Sequence, residues 1–282
     1  MSAKPRRRWL RWAALLFLLG LLLIGRGLWN AGADPIVRTA SVAVADWPAG
    51  EPPMRVLLIS DTHVAGPDMP PERLRAILRR FNALKPDLLL VAGDFHSGKY
   101  FATRHYSASE QTAPFGEARA RLGVIAVIGN HDHWADAKAI EAGLRARGVT
   151  VLNNGAVRRG PLIVGGVDDW FTEHADLPAT YAAMDALGAG PRILVIHSPD
   201  VVPDLPAPVA AVFAGHTHCG QIAPPLIGAL TYSSAYGDRF ACGDMTDKGQ
   251  RLFVGAGLGT SILPLRYGVP PDVWLVTLGP RR

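Results

Sequence analysis

The chain has 282 residues and a formal net charge of +5. Lys4, Arg6, Arg7, Arg8, Arg11 and Arg26 all precede residue 34 with no acidic residue among them, so setting these six aside from the 29 basic side chains leaves 23 against 24 acidic ones. A nearly neutral body with its basic excess in a tail argues against nucleic-acid binding, and two cysteines exclude both a disulfide framework and a zinc knuckle while leaving a single Cys219–Cys242 bridge open in an oxidising compartment.

Residues 12–24 carry no charge, and 25–29 add only Arg26, which can snorkel to headgroups from a helix end. The segment reads either as one membrane helix or as the apolar part of an export signal. Ala31-Gly32-Ala33 has the small-x-small form of a cleavage site, whereas Trp29 and Arg26 just before it favour retention. A retained anchor is the expectation, with a cleaved signal and a secreted body as the alternative. Arg6-Arg7-Arg8-Trp9-Leu10-Arg11 also resembles a twin-arginine export signal. Five basic residues ahead of the apolar run favour an N-in helix with the body outside the cytoplasm. The organisation expected is a basic N-terminus and anchor or signal over 1–33, a first strand and linker over 34–53, and one catalytic-size domain over 54–280.

Past the tail, residues 36–45 alternate as a strand, and "DWPAGEPP" is a turn. "MRVLLIS" is a short apolar run. In "PERLRAILRRFNALKP", Leu74, Ile77, Leu78, Phe81 and Leu84 recur at helical spacing between Pro71 and Pro86. "DLLLVAG" follows, then a helix expected over 115–122, "GVIAVIG", and the helix "DAKAIEAGLRARG" closed by Gly148. Further runs are "VTVL", "PLIVGGV", "RILVIH", "VAAVFAG", "RLFVGAG" and "VWLVTL". Helices alternating with continuous apolar runs predict an α/β domain whose strands are covered on both faces.

The polar residues of chemical interest stand just beyond five of these runs: Asp61 and His63, Asp94, Asn130 with His131 and Asp132, His197, and His216 with His218. Open α/β sheets build their sites at such carboxyl ends. Residues i and i+2 leaving a strand point to one side, so Asp61 with His63 and His216 with His218 each present two ligands to one place. Adjacent Asn130 and His131 diverge, one to metal and one to substrate. Two carboxylates, an amide oxygen and four imidazoles exceed one tetrahedral zinc site and suit two divalent ions sharing a carboxylate, with manganese, iron and zinc all compatible.

Asp61-x-His63, Gly93-Asp94, Gly129-Asn130-His131-Asp132, His197 and Gly215-His216-Thr217-His218 resemble the signature of the calcineurin-like metallophosphoesterases, over residues from about 54 to 278. "GNHDHW", "HSPD", "GHTHCGQIAPPLIG" and "GLGTSILPLRYG" are similar to the membrane-anchored bacterial branch that includes UDP-2,3-diacylglucosamine pyrophosphatases and related phosphodiesterases. The resemblance implies an α/β fold of two packed mixed β-sheets flanked by helices, a four-layer sandwich, here preceded by one N-terminal hydrophobic helix. It implies that Asp61, His63, Asp94 and His218 hold one metal, that Asp94, Asn130, His197 and His216 hold the other, and that His131 is the catalytic histidine. It further implies a phosphodiester or pyrophosphate substrate, lipid-like, with UDP-2,3-diacylglucosamine as the best single candidate, met at a bacterial inner membrane; that nucleotide requires a cytoplasm-facing domain. A tethered hydrolase of soluble nucleotides or phosphomonoesters and a silent metal-holding scaffold are the alternatives.

Some positions depart from the pattern or read two ways. Phe95-His96-Ser97-Gly98 stands where many relatives carry an acidic residue, and His96 reads as a substrate contact or a polar loop residue. Cys219 stands where relatives often have glycine. Asp132 orients a ring or caps the turn. The segment "GKYFATRHYSAS" is a lid over a greasy substituent or a surface loop, and Arg266 binds a substrate phosphate or forms a surface ion pair. His133 and His174 are expected to be solvated.

Overall fold

The computed structural model describes residues 5–281, so Lys4 of the basic tail lies outside the described residues, as do the side chains of Arg6 and Arg7. Helix α1 (Pro5–Ala31) leads into β1 (Ile36–Val44) and β2 (Met54–Ile59). There follow α2 (Pro71–Asn82), β3 (Leu88–Ala92), α3 (Ala108–Thr112), β4 (Val124–Val127), α4 (Asn130–Ala135), α5 (Ala137–Arg145) and β5 (Thr150–Val151). The second half runs β6 (Gly155–Arg159), β7 (Leu162–Gly166), α6 (Leu177–Ala186), β8 (Arg192–Val195), β9 (Ala211–Ala214), β10 (Gly243–Asp247), β11 (Gln250–Val254) and β12 (Asp272–Pro280).

Two six-stranded mixed sheets result, in the orders β1-β12-β2-β3-β4-β5 and β10-β11-β9-β8-β7-β6. Strand alternation places them face to face. Val56 and Leu58 of β2 point between the sheets and meet the same core as Val164, Ile193, Phe213 and Phe253, while Leu57 and Ile59 point outward to Leu74, Ile77, Leu78 and Phe81 of α2. The far face of the second sheet is covered by Leu177, Tyr181 and Met184 of α6. Burial on both faces explains why these strands read as unbroken apolar runs.

β2, β3 and β4 are mutually parallel, as are β7, β8 and β9, so their carboxyl ends share one rim. The rim is stitched across the sheets: the His197 ring beyond β8 donates from Nδ1 to the Ala92 carbonyl of β3 at 2.7 Å. β1 is built into the first sheet, parallel to β12 from Ile36↔Asp272 to Val44↔Pro280.

The helix expected over 115–122 sits earlier. A capping box between Ser107 and Glu110 starts α3, and a single 3₁₀ turn, Ala113–Glu117, with Pro114 near its start, ends the helical stretch. Strands β6 and β10 and helix α6 had no clear sequence signal, since the first two are half exposed and the third is only weakly amphipathic.

Leu58 is buried at the centre of the inter-sheet core. Leu58→Ala should therefore cost about 2–5 kcal/mol, read from denaturant unfolding of the full chain in detergent. A loss well under 1 kcal/mol would show that the two sheets do not pack at this position.

Candidate metal centre

The chain leaves β2, β3 and β9 through turns that an ordinary strand exit does not make. Asp61, His63, Asp94, His216 and His218 all adopt left-handed backbone, with φ of 49°, 39°, 57°, 69° and 50°. Such conformations cost on the order of 1–3 kcal/mol each and persist where the surroundings over-determine them. The expectation that simple strand alternation pairs Asp61 with His63 and His216 with His218 is corrected here: tight left-handed turns past the strand ends bring these side chains together.

Glycines make the close approach possible. Gly93 has φ +78° and a Cβ there would meet the backbone of Gly129; a Cβ on Gly129 would lie 2.3 Å from Asp94 Oδ1. The two loops are in backbone contact, and Asp132 clamps them. Its Oδ2 accepts from the backbone N–H of Asp94 (3.0 Å) and Gly129 (3.0 Å), and its Oδ1 from Phe95 (2.9 Å) and His96 (2.8 Å). Asp132 therefore caps and clamps the backbone and hydrogen-bonds no ring directly.

With the loops fixed, the side chains converge. His63 donates from Nδ1 to the His96 carbonyl at 2.8 Å, which turns its Nε2 to within 3.4 Å of Asp94 Oδ2 and 3.0 Å of His218 Nε2. His218 Nε2 is also 3.7 Å from Asp61 Oδ1. On the other side of Asp94, His197 Nε2 lies 3.3 Å from the same Oδ2 and 2.9 Å from Asn130 Oδ1, which is itself 2.9 Å from His216 Nδ1. One carboxylate oxygen thus faces both groups. The other, Asp94 Oδ1, accepts the His131 backbone N–H at 2.9 Å.

This donor set fits a pair of divalent cations. Asp61, His63 and His218 form one compact cluster able to hold an ion, and Asp61, Asp94 and His197 another. Burial holds His63 and His218 well below the usual imidazole value and pushes His216 down to about 3. Neutral rings are what metal binding requires. The Nδ1 atoms of His63 and His197 are spent on carbonyls, so both rings turn Nε2 toward a carboxylate oxygen. Burial opposes a charged His197, yet Asp94 and Asp61 hold it well above the usual imidazole value, and a cation bound there would take the place of that proton.

His131, on the first turn of α4, brings a ring nitrogen within reach of His63 and Asp94, a third cluster able to hold an ion, and also engages neighbours outside the ligand set. Its Nε2 is 3.2 Å from Ser261 Oγ, and its ring stands edge-on to Trp134 and His63, with centroids 4.9 and 4.8 Å away. Ser261 was missed as a site residue in the sequence, although it lies inside "GLGTSILPLRYG". Trp134 and Phe171, 60% and 46% exposed, wall the rim beside His131 and His216.

Other expectations are corrected. Arg266 is fully buried and reaches no substrate: it donates to the carbonyls of Ala256, Gly257, Gly259 and Val269, bracing the loop beneath the site. His133 is half-buried and bound to Asp168 at 2.8 Å, whereas His174, stacked on it with centroids 3.9 Å apart, is exposed as expected. His96 is half-buried against Gln111 and serves through its carbonyl. Cys219 and Cys242 form a disulfide. Lys99, buried against Asp68, donates to the His63 carbonyl at 2.8 Å, and burial pushes its ammonium down to about 8.

Residues 54–220 match the family model for calcineurin-like phosphoesterases. The chain belongs to that family. It is 27% identical to a Danio rerio protein described as a transmembrane protein with metallophosphoesterase domain, over 95% of this chain and 63% of that protein. It is 29% identical to the Bacillus subtilis uncharacterized metallophosphoesterase YkuE, over 82% of this chain and 81% of that one. The chain spans 63% of the Danio rerio relative and 46% of a putative metallophosphoesterase from Caenorhabditis elegans. Among solved structures, the Haemophilus influenzae NAD nucleotidase aligns with a TM-score of 0.47 at 14% identity, over 73% of this chain and 46% of that one. Members of the family use two divalent metals, and the Asp and His clusters here are of the kind that bind them.

Replacing the clamp tests the positioning argument. Asp132→Ala leaves four buried N–H groups without their acceptor, each worth about 1–3 kcal/mol, so stability should fall by about 3 kcal/mol or more and bound metal should drop with it. Asp132→Asn, which keeps one oxygen, should lose less. An alanine variant within 1 kcal/mol of the parent, with full metal content, would contradict the clamp.

Proposed function

We propose that this chain is a membrane-tethered, dinuclear-metal phosphoesterase that hydrolyses a phosphodiester or pyrophosphate bond of a lipid-like substrate. The observation that carries the hydrolytic reading is the single Asp94 oxygen set between two ligand groups. In this reading Asp61, His63, Asp94 and His218 hold one ion, and Asp94, Asn130, His197 and His216 hold the other. Two divalent ions bound together supply Lewis acidity and a water made nucleophilic at neutral pH.

The chain's own residues do the rest. His131, which this reading leaves free of metal, donates a proton from Nε2 to the departing oxygen. Ser261 Oγ, 3.2 Å from the same Nε2, holds the ring until the departing oxygen takes its place. Phe171, Trp134 and the buried loops limit water at the rim.

The membrane reading rests on α1, whose window Arg8–Ala31 has a mean hydropathy of 1.9 and is only 6% buried. An apolar helix left uncovered by protein calls for a lipid environment. Relatives described as transmembrane proteins support it. The N-terminal basic residues favour N-in topology, and the Cys219–Cys242 bridge suits an oxidising compartment. Both favour a domain outside the cytoplasm and a lipid-linked phosphate met on that side; UDP-2,3-diacylglucosamine is the candidate for a cytoplasm-facing domain. A soluble nucleotide is the second reading, favoured by the exposed Trp134 and Phe171 rings, on which a base can stack.

Chelation should abolish hydrolysis of an aryl phosphodiester, and manganese should restore it; full activity in metal-free protein would sink the mechanism. His131→Ala should keep its metal while kcat falls by roughly 10²–10⁴, less for an activated leaving group. Loss of one ion per chain in that variant would reassign His131 as a ligand.

A further inference from the structure

A second feature of the site face adjoins the hydrolytic machinery. A cavity of about 230 Å³ lies directly beside the metal centre, lined by His218, Gln221, Ile222, Leu230, Ser261 and Ile262 among others. Its wall shares His218 with the ligand set and Ser261 with His131. The lining is mainly hydrocarbon, although both neighbours are polar. At about 30 Å³ per water-sized group, it has room for a chain of roughly seven carbons.

The mouth of this cavity is apolar as well. The loop over 222–230, closed by the Leu230 N–H on the Ile222 carbonyl at 3.1 Å, carries Leu226, Ile227 and Leu230 at 107%, 72% and 65% exposure. Tyr100 and Phe101, also exposed, join the rim through the Tyr100 N–H on the Ile262 carbonyl at 3.0 Å. So many large apolar side chains on one face of a domain mark an interaction surface.

Helix α1 identifies what covers it. The end of the helix is bonded to the same loops: the Arg266 N–H donates to the Gly27 carbonyl at 3.1 Å, Asn30 Nδ2 donates to the Arg266 carbonyl at 3.0 Å, and the Tyr267 hydroxyl donates to the Leu23 carbonyl. Tyr267 in turn donates its N–H to the Gln221 carbonyl, and the Gln221 amide donates to the carbonyls of Ser261, Leu263 and Leu265. The cavity wall and the helix end are therefore one hydrogen-bonded unit. At 1.5 Å per residue, about 20 residues cross a hydrocarbon layer of about 30 Å. Counted from Arg8, that length runs out at the turn around Gly27, where the helix already touches Leu265 and Tyr267. With a bilayer over that length, no spacer would separate it from the domain.

We propose that this cavity is a hydrocarbon-chain site opening onto the bilayer, and that the 222–230 loop with Ile262, Tyr100 and Phe101 rests in the lipid interface beside α1. A lipid phosphate ester enters with its chain in the cavity and its phosphorus at the metal centre, without leaving the membrane surface. This rests on the phosphoesterase reading above and names the part of the substrate that the site holds apart from the phosphate.

The test uses the full chain in nanodiscs with p-nitrophenyl phosphodiesters bearing methyl, butyl or octyl chains, and manganese present. Each methylene buried in the cavity should raise kcat/KM by about fourfold until the cavity is full. The Leu230→Glu and Ile262→Glu variants place a charge at the partly exposed mouth, so their octyl-to-methyl ratio should fall at least tenfold below that of the parent. Partition of the octyl ester into the disc is common to all three proteins and cancels in that comparison. Melting temperatures within a few degrees of the parent establish that the variants fold. An equal octyl-to-methyl ratio in folded variants and parent overturns the chain site while leaving the phosphoesterase intact; failure to hydrolyse even the methyl ester overturns both.

Discussion

The geometry of the centre hangs on one buried carboxylate that binds no metal in this account. Asp132 collects four backbone N–H groups from the loops after β3 and β4, and those loops carry Asp94, Asn130 and His131. Through His96 it also sets the carbonyl that turns His63. Burial pushes the Asp132 carboxyl up to about 7, while its N–H donors favour the ionised form, to which hydrogen bonds are the stronger kind, about 1.5–3 kcal/mol each. In a site free of bulk water they hold four functional side chains in register.

That anchoring explains how so much left-handed backbone survives. Five of the seven proposed ligands sit at positive φ, where a non-glycine residue is disfavoured. The inter-sheet core, the stitch from His197 to Ala92 and the Arg266 brace beneath the loops leave these turns no relaxed alternative. The result is a site geometry held by the fold around it, at the cost of local backbone strain. Lys99 adds a positive charge one bond from the His63 carbonyl, paired with Asp68, on the side away from the ligands.

Much of this was legible in the chain because its physics is local or periodic. Unbroken runs such as "DLLLVAG" mark strands buried on both faces, and Leu74, Ile77, Leu78 and Phe81 mark the covering helix. The order of Asp, Asn and His past successive runs pointed to side chains that the structure brings together. What was hidden depends on contacts far apart in sequence. Arg266 reads as a surface cation until the carbonyls around it are seen, and His133 has no visible partner until Asp168, 35 residues on, folds against it. Ser261 stands 130 residues from the ring it touches. Half-exposed β6 and β10 carry no periodic signal, and α3 was displaced because its capping box at Ser107 outweighs the apolar residues further on.

One Asp94 oxygen faces both ligand groups, so two ions bound there would share it. Electron paramagnetic resonance of the manganese-loaded chain addresses this sharing most directly, because two manganese ions joined by a bridging carboxylate oxygen are exchange-coupled. The account predicts a coupled multiline spectrum at two ions per chain, replaced by an isolated six-line signal in Asp94→Ala. Isolated six-line signals from the unsubstituted chain at full loading would contradict it.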